Sequence, residues 1–259
     1  MSYFELHQKF SQNIFHKESI LFSEDVNSST ESFAQLFLGY SHHDRFNSNF
    51  ALISKPDITI QNIKTIKTGF DNLHMSPEIL VGDTEKNSGY VSKFIQSGYS
   101  ISNFDSYMAF ESSSKLPELE YDNEVVSVNE SNWVDFVSVA NQVFDDQKYQ
   151  DLIRSFIFSD DVDHHNQSFV CYAEGEPVAC GAVLISKKYS LAYFHDCATL
   201  PDYRGRGFQK SLIKARIDYA KSFGSKYIYS CTSFGSTSFY NYLKMGFCFA
   251  EQNYSLSKM

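Results

Sequence analysis

Apolar positions in the second half of the chain change their spacing several times. Over 131–144 they fall at helical spacing, at Trp133, Phe136, Val137, Ala140 and Phe144, with Ser131 placed as a cap, which predicts a helix. Between Ser168 and Leu200 they come in three dense runs, 168–174, 177–186 and 189–200. The turn candidates Glu174-Gly175-Glu176-Pro177 and Ser186-Lys187-Lys188 separate these runs, so three strands are predicted. Over 207–223, Leu212, Ile213, Ile217 and Ala220 share one face of a long helix. A strand at 124–129, a helix near 148–158, a strand at 226–231, a helix near 237–245 and a last strand complete the series. The order βααβββαβαβ predicts an α/β fold, a mixed central sheet with helices on both sides.

The first half is less legible. Helical patterns occupy 3–22 and 30–39, FALIS at 50–54 reads as a strand, and no glycine-rich strand-to-helix turn occurs. The two halves nevertheless end alike. The first closes with ILVGD, SGYVSKFIQSGY and SYMAFE, the second with YIYSC, GSTSFYNYLKMGF and NYSLS. Each reads as a strand, a short helix ending at a glycine plus an aromatic, and a final strand; Gly98 and Gly246 suit a helix C-terminal cap. FIQSGY and YLKMGF align without a gap, which fits a duplication, although ordinary αβ endings share the look. The polar segment Ser112–Asn123, with Pro117 inside it, reads as a connection. It divides the chain into a part at 1–115, a linker at 116–123 and a part at 124–259.

Composition narrows the classes. With 259 residues, 42% of them hydrophobic, one large domain or two small ones with real cores fit the chain. The net charge is −9, and most of it lies in the first half: residues 124–259 hold 13 Lys+Arg against 15 Asp+Glu, the remainder 9 against 16. That balance argues against a general nucleic-acid binder, which needs a basic face. The longest near-apolar run, Val178–Ile185, is far shorter than the roughly 20 residues of a membrane span. MSYFELHQKF lacks the apolar core of a signal peptide, so a soluble cytoplasmic protein is expected. Cys171, Cys180, Cys197, Cys231 and Cys248 all fall in predicted strands and include no CxxC. They read as free thiols in a reducing compartment, with neither a zinc site nor a disulfide framework.

Chemistry concentrates in Cys197–Lys214, CATLPDYRGRGFQKSLIK. A strand runs into Pro201, the chain turns through Arg204-Gly205-Arg206-Gly207, and a helix starts. Glycines let backbone N–H groups approach a ligand, and the helix N-terminus and Arg204, Arg206 and Lys210 add positive charge, so a diphosphate is the expected guest. A dinucleotide fingerprint fails because its third glycine would fall at Lys210, and a Walker A loop fails because Gln209 stands where its last glycine belongs. The segment instead resembles the pyrophosphate loop, [QR]xxGx[GA], of the GCN5-related N-acetyltransferase (GNAT) superfamily. The resemblance covers 124–259 in element order and is most specific over ATLPDYRGRGFQKSLI. ATLPxYRGRGxQ is similar to a subgroup with two fused acetyltransferase-like domains. Gln209 departs from the usual Gly or Ala.

The resemblance implies an acyl-CoA N-acyltransferase fold preceded by a degenerate acetyltransferase-like domain. It implies transfer of an acetyl group from acetyl-CoA to an amine of a small molecule or peptide, by direct attack in a ternary complex. Cys197, Ala198, Thr199, Arg204, Gly205, Arg206, Gly207, Phe208, Gln209 and Lys210 would hold the nucleotide and pantetheine. His195 would serve as the base, because the family's frequent Glu position falls near Tyr193; Asp196 would point to the other face. Tyr242, four residues before the glycine of YLKMGF, would protonate the leaving thiolate. Its counterpart Phe94 has no hydroxyl, so the first domain is expected to be silent. Two alternatives stay open: a non-catalytic acyl-CoA-binding sensor or interaction protein, and a transferase of longer acyl chains. Asp145-Asp146 would sit near the acceptor, with a solvated turn as the simpler account. His42-His43-Asp44 and Asp160–His165 read as polar loops without metal-ligand spacing.

Overall fold

Gly175 follows Glu174 at the tip of a hairpin, and both adopt positive φ, 87° and 56°, which matches the tight turn predicted between two apolar runs. The computed structural model describes residues 27–30, 34–38, 49–53, 58–71, 78–81, 84–119, 123–144, 157 and 164–258. These fall into two compact units, one of residues 1–106 with 251–259 and one of residues 107–250.

The first unit contains β1 (Asn27–Thr30), β2 (Ala34–Leu38), β3 (Asn49–Ile53), α1 (Ile60–Asp71), β4 (Glu78–Val81), α2 (Thr84–Gln96) and the start of β5 (Tyr99–Glu111). Antiparallel pairing joins β1 to β2 and β2 to β3, and α1 is the crossover that makes β3 and β4 parallel. The chain's last strand, β11 (Cys248–Lys258), pairs antiparallel with β4. FALIS forms a strand as expected. The helix expected at 30–39 does not: residues 34–38 pair with 49–53 as sheet. The segment 3–22 lies outside the described residues. The core gathers Ile63, Ile66 and Phe70 of α1 and Tyr90 and Phe94 of α2 over Ala51, Ile79 and Leu256.

The second unit builds its sheet from β6 (Val125–Ser127), β7 (His164–Ala173), β8 (Glu176–Ser186), β9 (Leu191–Thr199) and β10 (Tyr227–Ser233), with the end of β5 beside β10. Pairing is antiparallel from β6 to β9 and parallel between β9 and β10. One face carries α3 (Trp133–Phe144), whose Phe136, Val137, Val139 and Ala140 pack on Val170, Cys180, Ala182 and Ala198. The other carries α4 (Phe208–Ser222) and α5 (Thr237–Lys244), packed on Phe169, Val183, Ile185, Ala192 and Phe194. Helices thus cover both faces of a mixed sheet, as the element order predicts.

Two details of α3 differ from expectation. Ser131 does not cap it: its hydroxyl donates to Asn129 Oδ1 at 2.6 Å, inside a turn in which Asn132 Oδ1 accepts from the Asn129 amide. Phe144 is 45% exposed, because the inward stripe ends at Asn141. The helix near 148–158 and Asp145-Asp146 fall outside the described residues, apart from Ile157. Leu116 and Leu119 pack against the second unit's core, and Ser112 bonds to the carbonyls of Ser225 and Lys226.

All five cysteines lie in strands and none forms a disulfide. Burial pushes the Cys171 thiol up to about 12, nearby Cys197 adds to the rise, and Arg216 opposes it. An unfolded thiol ionises near ~8.5, so the folded-state advantage is full below that pH and is lost as pH rises toward about 12. Urea midpoints are expected to fall between about pH 8 and about pH 10.5, and to fall less in Cys171→Val. Equal falls in both proteins would remove Cys171 from the account.

Candidate functional site

The parallel pair β9 and β10 runs in register only from Leu191↔Tyr227 to Phe194↔Ser230, after which β9 continues to Thr199 and β10 to Ser233. The strands therefore part at Phe194 and Ser230. Ser230 Oγ marks the fork, donating to the Phe194 carbonyl at 3.1 Å. Just beyond it β9 bulges. Ala182 faces His195 and Cys180 faces Ala198, so Asp196 and Cys197 both oppose Gly181. Asp196 absorbs the extra length by taking φ +46°, a left-handed conformation that Asp tolerates better than most residues. His195 and Ala198 end on the α3 side, and Cys197 on the side of α4.

After β9 the chain makes a 3-10 turn at Pro201–Tyr203 and reaches α4 through Arg204–Gly207. Gly205 and Gly207 both adopt left-handed φ, 77° and 84°, where a side chain would be strained. α4 starts at Gly207 with no side-chain cap, so the amides of its first turn are left to other acceptors. These features border a cleft of about 530 Å³. Its floor is Cys197, Ala198 and Thr199, one wall is Gly205, Gly207 and Phe208–Lys210, and the opposite wall is α5. Arg204, Lys210 and Lys244 bring positive charge to it. Arg204 is steadied by a 3.2 Å bond from Nε to the Thr199 carbonyl.

Nine of the ten residues expected to hold a nucleotide line this cleft. Arg206 does not: its guanidinium lies over the rings of Tyr203 and Phe208, 5.1 and 5.6 Å from their centroids. Gln209 turns its amide to α5, donating to Ser238 Oγ at 2.8 Å and accepting from Asn241 Nδ2 at 2.6 Å. It therefore ties the two walls together. Thr237, Ser238, Asn241 and Lys244 form a polar stripe of α5 that the sequence reading missed. Their helical spacing, opposite buried Phe239 and Tyr242, was the available signal.

The two expected catalytic side chains lie elsewhere than on the cleft lining. Tyr242 is 2% exposed on the inward face of α5, its hydroxyl 2.8 Å from Ser230 Oγ. Burial raises its pKa and the adjacent Arg216 guanidinium pulls it back down. Arg216 is fully buried, donating from Nε to the Leu212 carbonyl, from Nη1 to the Ala182 carbonyl and from Nη2 to Cys197 Sγ. His195 lies on the far face of β9, stacked on Tyr193 at 5.8 Å. Its Nε2 is 3.1 Å from Asn166 Oδ1. Asp196 does not point away from it, because the bulge brings the carboxylate to 3.0 Å from His195 Nδ1. His164 and His165, expected in a polar loop, open β7; His165 Nε2 meets the Tyr219 hydroxyl at 2.7 Å. Among the described residues no group of three His, Cys, Asp or Glu could hold a metal ion, and no helix is long and apolar enough to cross a membrane. His42-His43-Asp44 lies outside them.

Comparisons with known proteins follow the same geometry. The model of the Acetyltransferase (GNAT) family matches residues 125–247. An uncharacterised N-acetyltransferase of Methanocaldococcus jannaschii is 40% identical over 65 residues, 23% of this chain and 29% of that protein, so the match spans under a third of the curated relative. A GCN5-related N-acetyltransferase from Kribbella flavida shares the fold with a TM-score of 0.66, at 15% identity over 90% of each chain. A tandem GNAT protein from the clavulanic acid biosynthesis pathway does so at 0.62 and 10% identity, over 87% of this chain and 78% of that one. Residues 125–247, with their glycine loop at the mouth of a forked sheet, form a domain of the Acetyltransferase (GNAT) family.

Proposed function

We propose that the protein transfers an acetyl group from acetyl-CoA to an amine of a small molecule or peptide, by direct attack in a ternary complex. One observation carries this reading. Two left-handed glycines and an uncapped helix start meet three cationic side chains in a cleft whose floor is the strand leaving the fork. That donor set suits a diphosphate, since backbone N–H groups and a helix N-terminus favour anions. The open space where a Cβ of Gly205 would stand lets the ligand approach the backbone.

Acetyl-CoA supplies the thioester whose carbonyl carbon takes the amine and whose C–S bond breaks. The first-turn amides of Phe208, Gln209 and Lys210 hold the diphosphate, with Lys210 and Lys244 neutralising its charge. Backbone groups of Cys197–Thr199 align the pantetheine along β9 and polarise the thioester carbonyl. His195, oriented by Asp196 and Asn166, takes the amine's proton through water. Tyr242 offers a proton to the departing sulfur. The amide product and coenzyme A balance the amine and thioester consumed.

The first unit reads as a degenerate partner domain. Phe94 stacks edge-on to Tyr99 at 5.4 Å across Gly98, as Tyr242 does to Phe247 at 4.8 Å across Gly246, but without a hydroxyl. Five cysteines outside any disulfide fit a cytoplasmic address.

Calorimetric titration with acetyl-CoA, beside NADH and ATP, tests the reading. Acetyl-CoA is expected to bind with a Kd on the order of micromolar, at least about tenfold tighter than either control. Equal or absent binding would overturn it, and tight binding without turnover on any amine would make the protein a sensor.

A further inference from the structure

We propose that Arg216 is a positioning residue that, from beneath the cleft floor and through the Tyr242 hydroxyl, steadies the negative charge left on the coenzyme A sulfur when the thioester breaks. The inference rests on the acetyl-CoA reading above.

A buried guanidinium is costly unless something uses its charge, and buried arginines ordinarily face carboxylates. Arg216 faces none among the described residues; its guanidinium donates to two carbonyls and the Cys197 thiol. The Phe194 ring lies 4.5 Å from its Cζ. The sheet is shaped to admit it, since a Cβ on Gly181 would stand 3.2 Å from Cζ. Its other ionisable neighbours are Cys197, on the cleft floor, and Tyr242, at the fork.

The hydrogen bonds around Tyr242 have a direction. Ser230 has one hydroxyl proton and lies within bonding distance of both the Phe194 carbonyl and Tyr242 Oη. Ser230 donates to Tyr242 Oη as well as to the Phe194 carbonyl, so its one proton is shared between two acceptors. The Tyr242 lone pairs thus face two donors, Ser230 and the guanidinium, which leaves the phenolic proton for another acceptor. When the C–S bond breaks, its electron pair stays on sulfur, the Tyr242 hydroxyl gives its proton to that sulfur, and Arg216 keeps all its protons and supplies the opposing charge. The ionisable groups facing Tyr242 are Arg216 on α4 and Cys197 on β9. Their opposed effects fit this use, with the cation countering the rise that burial imposes on the phenol.

The test needs no acceptor. Coenzyme A and desulfo-coenzyme A, which lacks the thiol, are titrated by calorimetry at about pH 6.5 and about pH 9.5. For the wild type, coenzyme A is expected to gain up to about tenfold in affinity over desulfo-coenzyme A as pH rises, the gain of a bound thiol held about one unit lower. Arg216→Met is expected to lose that gain while binding desulfo-coenzyme A within about threefold of wild type. Should Arg216→Met not fold, Gly181→Ala, which displaces the guanidinium by tenths of an ångström, is expected to lose at least about half of it. Parallel pH courses for the two ligands in the wild type would overturn the inference, as would an undiminished gain in the folded variant. Failure of both ligands to bind would instead overturn the acetyl-CoA reading beneath it.

Discussion

Gly207→Val is expected to weaken acetyl-CoA binding by more than about a hundredfold while leaving the domain folded. Gly207 sits at φ +84° where α4 begins, a region that costs a β-branched residue roughly 1–3 kcal/mol. Relief of that strain would rotate the peptide that opens the helix and misdirect the first-turn amides. Hydrogen bonds to a charged group contribute about 1.5–3 kcal/mol each, so losing even one adds another tenfold. The hydrophobic face of α4, Leu212, Ile213, Ile217 and Ala220, lies a turn or more away and keeps the helix docked. Calorimetry with acetyl-CoA, alongside circular dichroism and a melting curve, checks both halves. A folded variant with wild-type affinity would mean that the loop does not hold the diphosphate.

The second large effect concerns turnover. Tyr242→Phe is expected to lower kcat about a hundredfold, within the usual range for losing a proton donor, and to change acetyl-CoA affinity by less than about threefold. The split follows from position, because Tyr242 is buried at the fork while the anion-binding wall begins at Gly205. The variant also strands Ser230 and Arg216, so a stability loss of about 1–2 kcal/mol should accompany it. Steady-state assays with the best amine from a screen, with thermal unfolding in parallel, separate the two. Equal kcat would retire Tyr242 as a donor.

What could be read from residues alone depended on how much a position constrains its neighbours. The loop was legible because two left-handed turns one residue apart leave a glycine at each, and a helix with four core residues on one face leaves its own spacing. The α5 wall was not, since Thr237, Ser238, Asn241 and Lys244 have the composition of any solvated helix face. Arg216 hid for a similar reason, as arginine at helical spacing ordinarily reads as surface. AQLFL at 34–38 was misread because a short apolar run has no period of its own, and only its pairing with residues 49–53 makes it sheet. The bulge at Asp196 left no mark beyond a residue type that tolerates positive φ. Its effect on which groups meet was therefore invisible: Asp196 beside His195, and Cys197 over Arg216.

That bulge also separates the fold from the site at the level of a single residue. Asp196 is supernumerary to the ladder. A chain lacking it would keep strict alternation through β9 with Cys197, Ala198 and Thr199 on their present faces, and the packing of both layers would survive. The local bend and added twist that a bulge puts into its strand would be lost, however. Such a one-codon deletion would yield a protein that folds normally and has lost its workplace, so variation at 196 reports on selection for activity and hardly at all on selection for stability.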